Sequence, residues 1–159
     1  MKIKLLISTV AALSLPIPYF AQAQEPVMEE VIVTAQKRPE NVQDVAISIT
    51  ALSGAQLTEL GMTKNVEVAD QTPNLIFSEG SEQLISISSI RGVSQNDVGF
   101  HLEPPNAVYV DQAYVSILSA ANFQLFDIRQ VEILRGPQGT LFGRNATGGL
   151  MHFLNDSGY

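Results

Sequence analysis

A glycine-rich segment near the end of the chain is the first candidate for chemistry. The twenty residues from Val131 to Leu150, VEILRGPQGTLFGRNATGGL, contain five glycines. A phosphate-binding loop needs lysine and a hydroxyl residue after its glycines, because backbone amides wrap the phosphates while these side chains meet the terminal phosphate and magnesium. Gly149 and Leu150 stand at those two positions, and Pro137 after Gly136 breaks the dinucleotide pattern. The sequence therefore predicts no nucleotide site, and the glycines need another explanation.

A second candidate lies in the long irregular stretch of residues 91–106. Asp97, His101 and Glu103 are residue types that bind metals or transfer protons. They lack a diagnostic spacing, and nothing in the sequence fixes their orientation. His152 lies among apolar neighbours, which favours a packed histidine over a ligand. We therefore predict no catalytic residue, no metal site and no cofactor.

The net charge and the absence of cysteine limit the kinds of partner that the chain can bind. The chain of 159 residues has a net charge of −7 and no cysteine. Nucleic acid is an unsuitable partner, because phosphate binding depends on clustered Lys and Arg. Without disulfides the chain depends on an ordinary core or on a partner.

The first residues have the pattern of an export signal. Lys2 and Lys4 precede an apolar run that is too short to span a bilayer, and Ala21-Gln22-Ala23 has the small-x-small pattern of a cleavage site. The predicted organisation is a signal peptide in residues 1–23, a leader in 24–44, a folded domain in 45–149 and an atypical C-terminal end in 150–159.

The leader contains one compact strand-forming segment, Val31-Ile32-Val33, among charged residues and prolines. Such a composition buries too little apolar surface to fold alone, so we expect a disordered leader. A strand former in such a leader is suited to pair with the sheet edge of another protein. The alternative is an ordinary edge strand of the following domain.

The remaining pattern predicts a small α+β domain, with a mixed sheet, short helices and long loops. The apolar residues alternate from Val45, which predicts a strand, and Ser53 with Gln56 forms a capping box for a helix that ends at Gly61. Other predicted elements are a short helix at Val66 to Ala69, a helical turn or short helix within residues 122–130, and strands at Leu84 to Ile90, Ala107 to Val110 and Val131 to Leu134.

Five stretches, in order, resemble the plug domain of TonB-dependent outer-membrane receptors of Gram-negative bacteria. They are EEVIVTAQKRPENVQDVAISITALSGAQL, NLIFSEG, ISISSIRGV, NAVYVDQAYV and VEILRGPQGTLFGRNATGG. The first and last are specific in combination. The resemblance covers nearly all of residues 24–149.

The resemblance implies a transporter in which a barrel of about 22 strands is closed by an N-terminal plug. Such receptors take up scarce nutrients such as iron chelates, cobalamin or glycans, and TonB supplies the energy by pairing with the leader. The implied TonB box consists of Glu30, Val31, Ile32, Val33, Thr34 and Ala35.

The resemblance also assigns roles within the plug. Arg91 and Arg135 correspond to a lock that pairs with barrel glutamates, with a solvated surface charge as the alternative for each. The resemblance implies that the glycine-rich segment is a close-fitting turn region that faces the inner wall of the barrel. Substrate contacts come from an apical loop, for which we expect Ser94, Gln95, Asn96, Asp97, Phe100 and His101.

Two departures from the family pattern stand at the end of the chain. Residues 150–159, LMHFLNDSGY, replace the usual alternating run into the barrel, and from this sequence we expect the barrel to be absent. We therefore expect a plug that depends on a barrel, from a truncated receptor or a fragment. The alternatives are a stand-alone periplasmic module that binds a ligand or competes for TonB, and, least favoured, a nucleotide-using enzyme. In a dependent plug, residues 136–149 are expected to pack poorly and to open first.

Overall fold

The computed structural model describes residues 30–79, 85–95, 97, 102–117 and 122–156. The predicted signal peptide lies outside these residues. Within them, no helix is both long enough and apolar enough to cross a membrane. The strands in chain order are β1 (Ile32–Val33), β2 (Glu40–Asn41), β3 (Ser48–Ser53), β4 (Leu75–Glu79), β5 (Ser86–Ile90), β6 (Asn106–Val110), β7 (Ala113–Tyr114), β8 (Ile128–Arg135) and β9 (Gly149–Asn155). The helices are α1 (Gly54–Glu59), a 3₁₀ helix (Asn65–Gln71) and α2 (Gly139–Phe142).

The central feature is a mixed five-stranded sheet in the order β3-β8-β9-β6-β7. Strand β8 pairs antiparallel with β3 and β9, while β6 pairs parallel with β9. Two short hairpins, β1-β2 and β4-β5, form separate two-stranded sheets. The expected mixed sheet with short helices is confirmed.

The sheet buries both of its faces. Alternation along β8 directs Val131 and Ile133 toward a first core cluster, which also contains Leu57 of α1 and Val68 of the 3₁₀ helix. The alternate residues of β8, such as Leu134, face a second cluster, formed with the leader and the glycine-rich segment. Two different parts of the chain therefore cover the two faces.

Helix α1 follows its predicted signals closely. The Ser53 hydroxyl accepts from the Gln56 N–H, and the Gln56 side chain accepts from the Ser53 N–H, which completes the capping box. Gly61 ends the turn with φ of +67°. Leu57 is buried, whereas Leu60 at the cap is exposed.

The predicted helical turn within residues 122–130 is wrong. Leu125 donates its N–H to the Thr63 carbonyl at 2.7 Å, Gln124 bridges Lys64, and β8 begins at Ile128. Phe123 and Leu125 pack against the first core cluster, so the side chains alternate with period two.

Strand β9 continues beyond the predicted domain end at Gly149. It lies between β8 and β6 in the middle of the sheet, and residues 150–154 are buried. A strand that is covered on both faces is apolar at nearly every position and lacks the alternation by which strands are identified. The segment LMHFL is such a run.

The glycine-rich segment packs better than its composition predicts. The Gly136 N–H donates to the Gly148 carbonyl and the Gln138 N–H to the Ala146 carbonyl, both at 2.8 Å. Phe142 and Ala146 are buried in the second core cluster. The expectation that residues 136–149 pack poorly is therefore wrong, because one aromatic ring and one alanine anchor the segment. That this segment opens first stays a prediction.

Candidate functional site

The leader is folded from Glu30 onward, contrary to the expectation of a disordered leader. Strand β1 pairs antiparallel with β2, and the Val42 N–H donates to the Val31 carbonyl at 2.9 Å. The hairpin turn is closed by the Lys37 N–H, which donates to the Thr34 carbonyl at 2.8 Å. Residues 24–29 lie outside the described part of the chain.

The hairpin is held to the sheet by its apolar residues. Val33 and Ala35 are fully buried in the second core cluster, next to Leu134 and Leu150. Ile32 points away from this cluster and is 45% exposed. Tertiary packing thus supplies the burial that the leader composition lacks.

The second backbone edge of β1 is occupied by side chains of β8. The Thr34 N–H donates to Glu132 Oε1 at 2.7 Å, and the Thr34 hydroxyl lies 3.2 Å from the same oxygen. Gln130 Nε2 donates to the Ile32 carbonyl at 3.0 Å. The predicted TonB-pairing residues are therefore docked on both edges, by β2 on one side and by β8 side chains on the other.

Glu132 lies at the centre of this docking contact. Its side chain is fully buried, and Gln130 Nε2 donates to Oε1 at 3.1 Å. On the neighbouring strand, His152 Nδ1 lies 3.8 Å from Glu132 Oε2, while His152 Nε2 contacts the Asp111 carbonyl oxygen. The predicted packing of His152 is confirmed, whereas the role of Glu132 was not predicted from the sequence. The sequence does contain one sign of it, because Glu132 is the single charged residue in the strand-forming segment VEIL.

A cavity of about 370 Å³ borders His152, and its lining also includes Lys37, Arg129 and Tyr109. Burial raises the pKa of Tyr109, with a smaller contribution from Tyr114. The Tyr109 hydroxyl donates to the Phe142 carbonyl at 2.8 Å. The leader turn, the sheet and α2 thus meet around one partly polar cavity.

The two predicted lock arginines lie close together. Arg135 donates from Nη1 to the Pro73 carbonyl at 3.1 Å and from Nη2 to the Ile49 carbonyl at 3.3 Å. Burial is the main cause that lowers the pKa of Arg135, and the positive charge of Arg91 lowers it further. Neither arginine forms an ion pair with any residue that the structure describes.

The predicted substrate loop is described only in part. Ser94 and Asp97 are exposed, and Gln95 Nε2 donates to the Asp97 carbonyl at 2.7 Å. Asn96, Phe100 and His101 lie outside the described residues. Glu103 binds Arg144 Nη2 at 2.9 Å and Asn145 Nδ2 at 2.6 Å. Across the described ranges, no group of three His, Asp or Glu residues is arranged to hold a metal ion.

Comparisons with known proteins agree with this architecture. Residues 41–150 match the family model of the TonB-dependent Receptor Plug Domain. The chain is 34% identical over 142 residues to the pesticin receptor of Yersinia pestis, which covers 87% of this chain and 20% of that receptor. It is 28% identical over 153 residues to the vitamin B12 transporter BtuB of Vibrio vulnificus, covering 96% of this chain and 24% of the transporter.

A solved structure shows the same arrangement. The crystal structure of the ferric yersiniabactin uptake receptor FyuA from Yersinia pestis superposes with a TM-score of 0.64 at 32% identity. The alignment covers 70% of this chain and 17% of that receptor. The chain thus spans about a fifth to a quarter of the length of the curated relatives that it matches.

Proposed function

Because this chain belongs to the TonB-dependent receptor plug domain family, we propose that it gates an outer-membrane barrel and couples it to TonB. The signal of residues 1–23 directs export, and the leader lies on the periplasmic side of the outer membrane. The role is transport and not enzymatic catalysis. The relatives are named as receptors and transporters, which supports this assignment.

The observation that carries the proposal is the second edge of β1. This edge is held by the side chains of Gln130 and Glu132 and not by another strand. An extended segment pairs with a partner sheet through main-chain hydrogen bonds, each worth a net of about 0.5–1.5 kcal/mol. When the side-chain contacts open, Glu30 to Ala35 becomes a strand that TonB can take up.

A titration of a peptide tests the TonB assignment without disturbing the domain. A peptide of residues 24–45 is titrated into the C-terminal domain of TonB from the host bacterium. Val33→Pro removes one backbone donor, so the peptide should lose measurable binding. Val42→Pro lies outside the TonB box and serves as the control. Equal affinity of all three peptides would refute the assignment. The peptide is required because Val33 also belongs to the core of the intact domain.

The arginine pair supports docking against an acidic wall. Arg91 and Arg135 lie close together without a described acidic partner, and the buried Arg135 Nε has no hydrogen-bond partner in the described part of the chain. Removing one partner of a buried ion pair costs about 3–5 kcal/mol, so glutamates of a barrel would hold the plug firmly. We assign these arginines to the barrel lock.

The ligand is a small molecule such as an iron chelate. The relatives include a ferric yersiniabactin uptake receptor and a vitamin B12 transporter. The segment from Ser94 to His101 is assigned to the ligand-facing side. Uptake of a labelled iron chelate or of labelled cobalamin by cells that carry the receptor, with and without TonB, tests this assignment.

The second candidate function is a stand-alone module that binds a ligand or competes for TonB. The core clusters on both sheet faces favour it, since each face is already covered by the chain itself. Periplasmic expression of this chain beside an intact receptor separates the two functions. A competitor lowers uptake by the intact receptor, and the Thr34→Pro variant should lower it less.

A further inference from the structure

We propose that the cavity beside His152, hereafter the leader cavity, binds a small aromatic carboxylate, and that this anion holds the leader on the sheet. The site and its effect on docking belong to this chain alone. The consequence for TonB rests on the proposed function, since a leader that is held on the sheet is withheld from TonB.

The leader cavity lies where three parts of the chain meet. The leader turn supplies Lys37, and α2 supplies Phe142. The sheet supplies Tyr109 and Arg129. Its volume of about 370 Å³ is within the range of small-molecule sites, which combine an apolar lining with a few convergent polar groups. None of the described residues that line it belongs to the segment from Ser94 to His101, so this is a second site, apart from the ligand-facing segment.

Lys37 is placed at the cavity by an unfavourable backbone conformation. Its φ is +58°, in the left-handed region where glycine or asparagine is usual and a longer side chain is disfavoured. The lysine Nζ lies 5.3 Å from the centroid of the Phe142 ring. The side chain forms no ion pair with any residue that the structure describes. The turn therefore presents an uncompensated cation beside an aromatic surface.

Arg129 reaches the same cavity from an irregularity in β8. The pairing with β9 shifts register between Ile128 and Gln130, so Arg129 is an extra residue on its strand. Bulges of this kind re-aim a side chain and are over-represented next to active sites. Arg129 is exposed and has no ion-pair partner in the described part of the chain. Two local departures from regular backbone thus bring two uncompensated cations to one cavity.

The other charged groups nearby leave these two cations free. Arg38 is already paired with Glu40, at 2.7 Å from Nε to Oε1. The Asp111 carboxylate is held by the Asn155 N–H at 2.9 Å and by Asn155 Nδ2 at 3.1 Å. The fully buried Glu132 borders the neighbouring cavity instead. An anion from solution can therefore neutralise the free lysine and the free arginine together.

The lining selects the class of anion. The rings of Tyr109 and Phe142 meet edge to face, with centroids 5.3 Å apart, and form an aromatic wall. A carboxylate can pair with the guanidinium of Arg129 through two parallel hydrogen bonds, and with the Lys37 ammonium as a point charge. An aromatic carboxylate combines a ring for the wall with a charge for the cations. Once bound, it ties the leader turn to β8.

Binding is tested on the purified chain with 2-naphthoate as the probe, through its effect on the backbone amide signals in NMR spectra. The uncharged 2-naphthamide keeps the rings and removes the charge, whereas acetate keeps the charge and removes the rings. We expect 2-naphthoate to shift the amide signals of Lys37, Arg129 and Phe142. Its Kd should be at least about tenfold lower than that of either comparison compound, because only 2-naphthoate makes both kinds of contact.

Charge variants locate the site. Lys37→Gln and Arg129→Gln should each weaken the binding of 2-naphthoate by about tenfold, and Arg129→Lys should retain part of it. Both positions are exposed, so the fold should persist, which circular dichroism checks. Lys64→Gln is the matched control. It removes an exposed cation next to the 3₁₀ helix, which packs on the other face of the sheet, and should leave the Kd unchanged.

The hold on the leader has its own readout in amide hydrogen exchange. The Thr34 N–H is bonded to Glu132 only while the leader is docked. If the anion binds only the docked leader, exchange of this N–H slows by a factor of 1 + [L]/Kd, about elevenfold at a probe concentration of ten times the Kd. The Leu60 N–H, bonded to the Gln56 carbonyl at the end of α1, opens by local fraying and should keep its rate.

Four outcomes would overturn the proposal. They are no measurable binding of 2-naphthoate, equal affinity for 2-naphthoate and either comparison compound, an unchanged Kd in both glutamine variants, and binding without slower exchange at Thr34. TonB is absent from this experiment, and the peptide of residues 24–45 contains no sheet. Failure here therefore leaves the peptide titration unaffected, and failure of that titration leaves this site unaffected.

Discussion

At the residue scale, Gly149 explains why the glycine-rich segment needs glycine at one particular point. Its φ is +153°, and an added Cβ would lie 2.2 Å from the Leu134 carbonyl oxygen. At Gly139, by contrast, an added Cβ meets nothing within 4 Å. The requirement for close approach therefore applies to some of the five glycines and not to all of them.

The two glycines make a matched pair of substitutions. Gly149→Ala should lower the free energy of unfolding by about 1–3 kcal/mol, because the new methyl group meets backbone and an unfavourable φ. Gly139→Ala lies in α2 and should change stability by no more than about +1 kcal/mol, through a less flexible unfolded chain. Urea denaturation measures both. Equal stability of the two variants would contradict this account of the segment.

The sequence carries only part of this residue-level information. The glycine spacing predicts close backbone approach, but it does not predict that Phe142 anchors the segment by packing in the second core cluster. Glu132 was missed because alternation identifies a sheet face without identifying what covers it. A buried glutamate requires donors, and besides Gln130 on the same strand these come from Thr34, which is 98 residues away.

At the element scale, the 3₁₀ helix was predicted at the right place but too short. The sequence predicts a short helix at Val66 to Ala69, and the structure extends it to Asn65–Gln71. Glu67 Oε2 accepts from the Thr63 N–H at 2.5 Å and the Lys64 N–H at 3.0 Å, which holds the first turn. Here the capping side chain, Glu67, lies inside the helix. Such a cap is harder to recognise in a sequence than the capping box that Ser53 and Gln56 form at α1.

This cap predicts a pH dependence with a definite sign. Hydrogen bonds from the Lys64 and Thr63 amides lower the pKa of Glu67 below its ordinary 4.5. A lowered folded-state pKa gives stability that is present above pH 4.5 and is lost as the pH falls through the folded value. Glu67→Gln should therefore be less stable at neutral pH, by under about 1 kcal/mol because solvent screens this carboxylate. Thermal unfolding at neutral and acid pH should show the difference disappear on acidification.

At the scale of the whole molecule, one sheet face depends on the leader. Composition alone predicts a disordered leader, since an isolated Val31-Ile32-Val33 segment buries little. The fold reverses this because Val33 and Ala35 find apolar partners on β8 and β9, far along the chain. Contacts between such distant segments are the part of a fold that local pattern does not supply.

Two truncations test this dependence. Removal of residues 1–44 should lower the free energy of unfolding by about 2 kcal/mol or more, since burial of one valine side chain alone contributes about 1.5–3 kcal/mol. The exposed face should also bind a hydrophobic dye. Removal of residues 1–29 leaves the packed hairpin intact and serves as the control. Identical stability of the two truncated chains would mean that the leader does not complete the core.

The most direct test of the central claim is the distance between Ile32→Cys and Leu60→Cys, each carrying a nitroxide, with and without the C-terminal domain of TonB. The absence of other cysteines confines labelling to these two sites. Alone, the chain should give one narrow distance distribution, since β1 is docked on both edges. A saturating amount of TonB should replace it with a longer and broader distribution, because the leader leaves the sheet to pair with TonB. An unchanged narrow distribution at saturating TonB would contradict the claim that this leader is the strand that TonB takes up.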